Sequence, residues 1–229
     1  MLCLTNLVGF GAGGLTQRTL TYSFRGVTTD TSDVSASSYT FASADIGTAN
    51  ANRVVVVGVG HNDATSVDSV TIGGVSATRA GSQPASAGAT ASLWYLNVAA
   101  GTTANIVVTL SVGTANRCVI AVWAVVPDIL SPNDTASGTA INTSGANAND
   151  LDVRAGGLVL AMAYNSNTSG LTPTWNGTDS ITTDASATIE AANQYGAYSF
   201  LTTVSTSTND LNVAPGTNSV TALAAVSFR

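Results

Sequence analysis

A chain of 229 residues with net charge −6 and only 9% charged side chains lacks the clustered cations that hold a phosphate backbone. All seven basic residues are arginines, no two of them adjacent, so nucleic acid is not an expected partner. No apolar run is long enough to span a bilayer, and the apolar start Met1–Val8 has neither the basic lead nor the cleavage site of a secretion signal, so no membrane partner is expected either.

Twelve of the thirteen acids are Asp, Glu190 is the sole Glu, and lysine is absent. Thr and Val favour strands, while Asp, Asn and Gly favour turns. This vocabulary predicts an all-β fold, an antiparallel double-sheet sandwich of jelly-roll-like form. The expected layout is an arm over residues 1–16 followed by a single sandwich domain over 17–229. Gly9 to Gly14 lack side chains that would anchor the arm locally, so its order should come from a partner.

In chain order, the first strands are expected at 20–25 and 37–42, joined by a polar loop with Asp30 and Asp33. Arg53 to Gly60 follows, and its four valines at 54–57 predict a central strand covered on both faces. Residues 68–72 and 75–79 flank Gly73-Gly74, a hairpin signal because both glycines accept positive φ. Strands at 91–98, 104–111 and 117–126 come next, the last ended by Pro127. Residues 128–148, mainly Ser, Thr, Asn, Asp, Ala and Gly, read as a polar surface excursion within the same domain.

The two flanking halves look alike. Val54 to Asp63 and Gly157 to Asn167 are each an apolar strand entering an Asn-containing loop. Short strands with Gly turns follow at 68–74 and 171–177, then aromatic strands at 93–98 and 195–201. Each half closes on a long apolar strand, 117–126 and 218–228. In the latter, Val220, Ala222, Ala224 and Val226 share one face, and Leu223 and Ala225 the other.

No catalytic constellation is legible. His61 is the only histidine, which removes multi-histidine metal sites, and no serine sits in a nucleophile elbow. His61 beside Asn62 and Asp63 reads as a loop residue with hydrogen-bonded neighbours. The close acid pairs Asp30/Asp33, Asp63/Asp68 and Asp150/Asp152 read as turn formers rather than glycosidase pairs. They could instead hold calcium between loops, but nothing matches the twelve-residue helix-loop-helix pattern, so no metal and no cofactor is expected. Cys118 reads as a buried free thiol and Cys3 as part of the arm. Trp94 and Trp123 read as core. Trp175 precedes Asn176-Gly177 at a strand end, where Tyr164, Asn165 and Tyr195, with the loop at Asn62, would complete a sugar-stacking surface for a host glycan.

The series Arg53 to Val59, Ser69 to Thr78, Leu93-Trp94-Tyr95, Ile106 to Leu110 and Ala121 to Val125 resembles β-rich structural proteins of tailed-bacteriophage virions. The opening Leu7-Val8-Gly9-Phe10-Gly11 is similar to the starts of such proteins. The likeness covers most of 50–126 and, more loosely, 150–229. It implies a non-enzymatic virion component attached to head or tail, expected as a homo-oligomer among capsid or tail proteins. Capsid decoration is the leading expectation, with Leu2, Leu4, Leu7 and Phe10 as the gripping side chains of the arm. The alternative is a receptor- or carbohydrate-binding module of a tail or fibre.

Overall fold

The computed structural model describes residues 20–229 apart from 31, 33–34, 87, 142, 168–169 and 190–192. Leu2, Leu4, Leu7 and Phe10 of the expected arm, with Cys3, Asp33 and Glu190, therefore lie outside the described residues. Among those described there is no helix.

The first half contains β1 (Thr21–Asp30), β2 (Ser38–Asp45), β3 (Val54–His61), β4 (Val67–Ile72), β5 (Val75–Ser76), β6 (Thr78–Ala80), β7 (Ala85–Ser86), β8 (Ala89–Asn97), β9 (Thr103–Leu110) and β10 (Cys118–Val126). The second contains β11 (Asp134–Ile141), β12 (Ala146–Val153), β13 (Leu158–Asn165), β14 (Leu171–Trp175), β15 (Thr182–Ile189), β16 (Asn193–Leu201), β17 (Thr206–Pro215) and β18 (Val220–Phe228). Each half makes two antiparallel sheets. The first has an inner sheet ordered β1-β10-β3-β8-β6, with β7 also on β8, and an outer sheet β2-β9-β4-β5. The second has an inner sheet β11-β18-β13-β16-β15 and an outer sheet β12-β17-β14. Strand for strand the orders match, with β1 to β4 answering to β11 to β14 and β8 to β10 to β16 to β18. The jelly-roll order is thus built twice, the second time without a counterpart of β5 in its outer sheet.

The register carries the same duplication. His61 pairs with Thr90 and Cys118, and Asn165 pairs with Gln194 and Thr221, every member displaced by roughly 100 residues. The antiparallel double-sheet sandwich expected from the sequence is present twice: two sandwiches stack with their inner sheets face to face, giving four layers and three core clusters. Val55, Val57, Val59 and Ile120 pack on Phe41, Ile106 and Val108 of the first outer sheet. Val54, Val56, Leu93 and Trp123 pack on Leu158, Leu160, Met162 and Ala224 at the centre. Val159, Ala161, Leu223 and Phe200 pack on Leu151, Leu211 and Val213 of the second outer sheet. An inner strand therefore has no solvent face, which is why β3 and β13 are apolar without alternation. Gly73 and Gly74 turn with φ of 61° and 82°, as the β4–β5 hairpin needs.

The polar stretch 128–148 holds all of β11 and the first residues of β12. It can be polar because β11 is an edge strand, half-buried along most of its length and crossed by β12. Gly138 permits that crossing, since a Cβ there would collide with the Asn147 backbone.

At the centre, equivalent positions of the two copies meet. Cβ atoms built on Gly58 and Gly60 of β3 would lie 3.0 Å from Met162 Cβ and 2.7 Å from Tyr164 Cδ2 on β13. Small residues in one copy receive large ones in the other. Both strands therefore run in nearly the same direction, and the loops after β3 and β13 share one end of the molecule. A polar link crosses the same interface. Trp123 Nε1 donates to Asp184 Oδ2 (2.7 Å), and Ser199 Oγ donates to Asp184 Oδ1 (2.9 Å). Burial nevertheless raises the Asp184 pKa above its ordinary value, with those two bonds working against the rise.

Candidate functional site

The end of the molecule beyond β3 and β13 gathers most of the chemistry-bearing side chains. Cys118 lies directly across from His61 on the neighbouring strand, and both point toward the first outer sheet, as their parity with Val59 and Ile120 requires. Both are 0% exposed. A nucleophilic Cys–His pair needs a thiolate beside an imidazolium. Here desolvation drives the two groups apart: it pushes the thiol pKa up and the imidazole down to about 4. At neutral pH both are uncharged and sealed from solvent, so they do not form a thiolate–imidazolium pair. Tyr39, under the same end, donates its hydroxyl to Ala115 O, and burial raises its pKa. His61 is thus not the loop residue expected from its neighbours. It ends β3, and neither ring nitrogen makes a well-formed hydrogen bond.

Asn62 is half-buried and braces the adjoining loop, its Oδ1 accepting from the amides of Asn116 (3.0 Å) and Arg117 (3.2 Å). Asn165 is fully buried. Its Nδ2 donates to Ser219 Oγ (2.7 Å) and Thr221 Oγ1 (2.8 Å), and its Oδ1 accepts from the Asn167 amide (2.7 Å). Tyr164 and Tyr195 are register partners inside the central core, at 0% and 8% exposure. Burial raises the pKa of both hydroxyls.

Trp175 is elsewhere. Its ring sits 4.9 Å from that of Phe200, tilted by 60°, and folds back over Gly177. Phe200 pairs with Val159 at the start of β13, whereas Asn165 ends that strand. At ~3.3 Å per residue, the six-residue separation puts Trp175 about 20 Å from Asn165, toward the opposite end. The stacking surface expected from Trp175, Tyr164, Asn165 and Tyr195 is therefore not assembled, because three members are consumed by packing and the fourth lies remote. Trp175→Ala is expected to cost about 1–3 kcal/mol of stability, the share of a half-buried aromatic. Equilibrium denaturation would measure it, and an unchanged midpoint would show that the Phe200 contact contributes nothing.

No family model matches this chain. No curated protein or solved structure matches it either.

The acids behave as turn and loop anchors. Asp30 accepts from Ser32 N, Asp63 from Thr65 N, and Asp179 from Thr203 N. Asp68, Asp150 and Asp152 are exceptions to the turn reading: Asp68 lies within β4 and the other two within β12, with Asp150 at φ 57° in an irregular stretch of pairing. Among the described residues, no three His, Cys, Asp or Glu side chains gather as a metal would require. An open hollow beside β1 and β2 is lined by Thr28, Thr29, Asp30, Ser32, Thr40 and Phe41. It offers hydroxyls and one carboxylate, with no base to pair with it.

One side chain that organises its surroundings was missed in the sequence. Arg53 is 1% exposed and donates to the carbonyls of Gly47 (2.5 Å), Ala100 (2.8 Å), Val98 (2.9 Å) and Gly101 (3.0 Å). It ties the β2–β3 connection to the β8–β9 turn. The only available signal was a lone cation directly before a valine run, where a central strand begins.

Proposed function

We propose that the chain is a non-enzymatic structural protein of a tailed-phage virion, acting in capsid decoration or stabilisation through protein–protein contacts. The observation that carries this reading is the use to which the interior puts its polar groups. Cys118, His61, Asn165, Asp184 and Arg53 are sealed in or bonded within the four-layer stack, so none of these five stands exposed as a reactive group. Its outside is rich in hydroxyls and amides and poor in charge. Such a surface gives up little hydration when covered and repels neighbouring copies weakly.

The sheet edges indicate how contacts would be made. β1 is bulged between Phe24 and Gly26, β2 between Phe41 and Ala44, and β15 between Thr183 and Ala185. β14 carries Pro173, and β5 has two residues. These features blunt strand addition. On this reading, contacts to capsid proteins and between copies in a homo-oligomer use faces, loops, residues 1–16 and the one long edge without a bulge among the described residues, β11. Leu2, Leu4, Leu7 and Phe10 would each contribute roughly 1.5–3 kcal/mol on full burial. Ordering the glycine-rich backbone costs about 1–2 kcal/mol per residue. One arm alone would bind weakly, and a shell of many simultaneous contacts would offset this.

Deleting residues 1–16 is expected to leave the stack folded and to lower its occupancy on particles, read by quantitative electrophoresis of purified virions and by electron microscopy. Full occupancy of the truncated chain would overturn the arm. The alternative, a receptor- or carbohydrate-binding module of a tail or fibre, predicts normal occupancy of the truncated chain, with host adsorption lost only when the ligand surface itself is changed. Since the aromatic platform is not assembled, a glycan would have to use another surface, such as the hollow at Thr28 and Thr40. Normal adsorption by a Thr28→Arg, Thr40→Arg double variant would remove that hollow from consideration.

A further inference from the structure

We propose that His61 makes the loop end of the first sandwich acid-labile, while the equivalent end of the second sandwich stays closed. The duplication supplies the comparison within one molecule. His61 and Asn165 occupy the same position in the two copies, each ending an inner strand and each fully buried. Asn165 has its amide satisfied by Ser219, Thr221 and Asn167 and carries no titratable proton. Neither Nδ1 nor Nε2 of His61 makes a well-formed hydrogen bond, although the Thr65 backbone lies close enough to favour the charged ring.

The groups around it do not provide for a cation. Across β10 stands the Cys118 thiol, which burial keeps protonated. Across β8 stands Thr90, whose hydroxyl is committed to Asp63 O. From β2, Tyr39 is held neutral and bonded to Ala115 O. Asp30 at the end of β1 binds the Ser32 amide and hydroxyl. From β13, the Tyr164 ring lies against Gly60, and its hydroxyl, kept neutral by burial, interacts with Cys118 and Arg117. Asp63 and the backbone at Thr65 favour the imidazolium, yet removal from water outweighs them and holds the midpoint at about 4.

The sign follows from linkage. Between pH 6.5 and about 4 the unfolded chain takes up a proton at this ring that the folded chain refuses. Stability contributed by the neutral ring is complete above pH 6.5, falls as pH drops through that window, and levels off below it. The full difference corresponds to roughly a 300-fold change in the folding equilibrium. The ring is at the junction with 62–66 and beside 111–117, so opening those loops is the shortest route by which it reaches water.

Because the chain has one histidine, its ring titration by NMR is unambiguous. The expected midpoint is near 4, and a midpoint at or above 6.5 would overturn the proposal. Hydrogen exchange, corrected for the intrinsic rate, should lose at least tenfold protection at 61–67 and 111–118 between pH 7 and 4.5. The segments 163–167 and 216–221 should hold theirs. Equal loss at both ends would also overturn it. His61→Asn, which copies the second half, is expected to abolish the pH-dependent loss, and retention of that loss would count against His61. Should this variant fail to fold, the wild-type titration and the comparison of the two ends decide between the outcomes on their own.

Discussion

Arg53→Met is expected to destabilise the protein by about 2–4 kcal/mol, the scale for leaving several buried acceptors without their donor. The methionine replaces the aliphatic stem and leaves the carbonyls of Gly47, Val98, Ala100 and Gly101 without their donor. Nothing else nearby can substitute. Arg25 is engaged with Asp45, whose pKa it lowers, and whose charge in turn offsets part of the burial that lowers the pKa of Arg53. Arg53→Lys should recover only part of the loss, because three ammonium donors radiating from one atom cannot reproduce the guanidinium fork. Denaturant unfolding followed by tryptophan fluorescence would give both numbers. A cost below 1 kcal/mol for Arg53→Met would mean that the four carbonyls find water readily and that the two connections are not joined through this side chain.

Gly60→Val should cost about 1–3 kcal/mol by overpacking. A Cβ at this position lies 2.7 Å from Tyr164 Cδ2 and 3.1 Å from Met162 Cε, and both side chains are sealed in the central core. Gly60 has an ordinary strand φ, so the penalty is steric and not conformational. Tyr164→Ala alone should cost about 3–5 kcal/mol through the cavity it opens. Combined, the two changes should cost less than their sum, since the added methyls enter the space the ring vacates. A coupling of about 0.5–3 kcal/mol is expected from a double-mutant cycle. Strict additivity would show that the two copies do not meet at these positions.

What the sequence disclosed depended on whether a residue's environment was local. Val54 to Val57 announced a strand buried on both faces, because only an inner strand tolerates unbroken valine. Val220 through Val226 sorted onto two faces by parity, and the structure keeps that division between the central and third cores. The likeness of the two halves was visible in the strand ends at His61 and Asn165. Its consequence was not, because which sheets face each other depends on contacts roughly 100 residues apart in the chain. β11 was hidden for a related reason: an edge strand that never becomes fully buried has no need of an apolar face. The proposed ligand surface failed where composition was a poor guide to depth. Tyr164, Asn165 and Tyr195 look like rim residues beside Trp175, yet a four-layer stack has room inside for tyrosines that a single sandwich would place at its margin.

The face-to-face arrangement of the inner sheets also dictates what the ribosome must release, and in what order. By the time β10 is made, β1, β3 and β8 can assemble around it, and the side of that sheet bearing Val54, Val56, Leu93 and Trp123 is complete. Its cover consists of Leu158, Leu160, Met162 and, last of all, Ala224 and Phe228. The final cover is thus about 100 residues behind, which at ~5–20 residues per second leaves a large greasy surface bare for roughly 5–20 s on each nascent chain. Two emerging copies on one message would present the same sticky side to each other. Polysome crowding should therefore raise aggregation of this protein more than its native stability would suggest, and slowing initiation should relieve it.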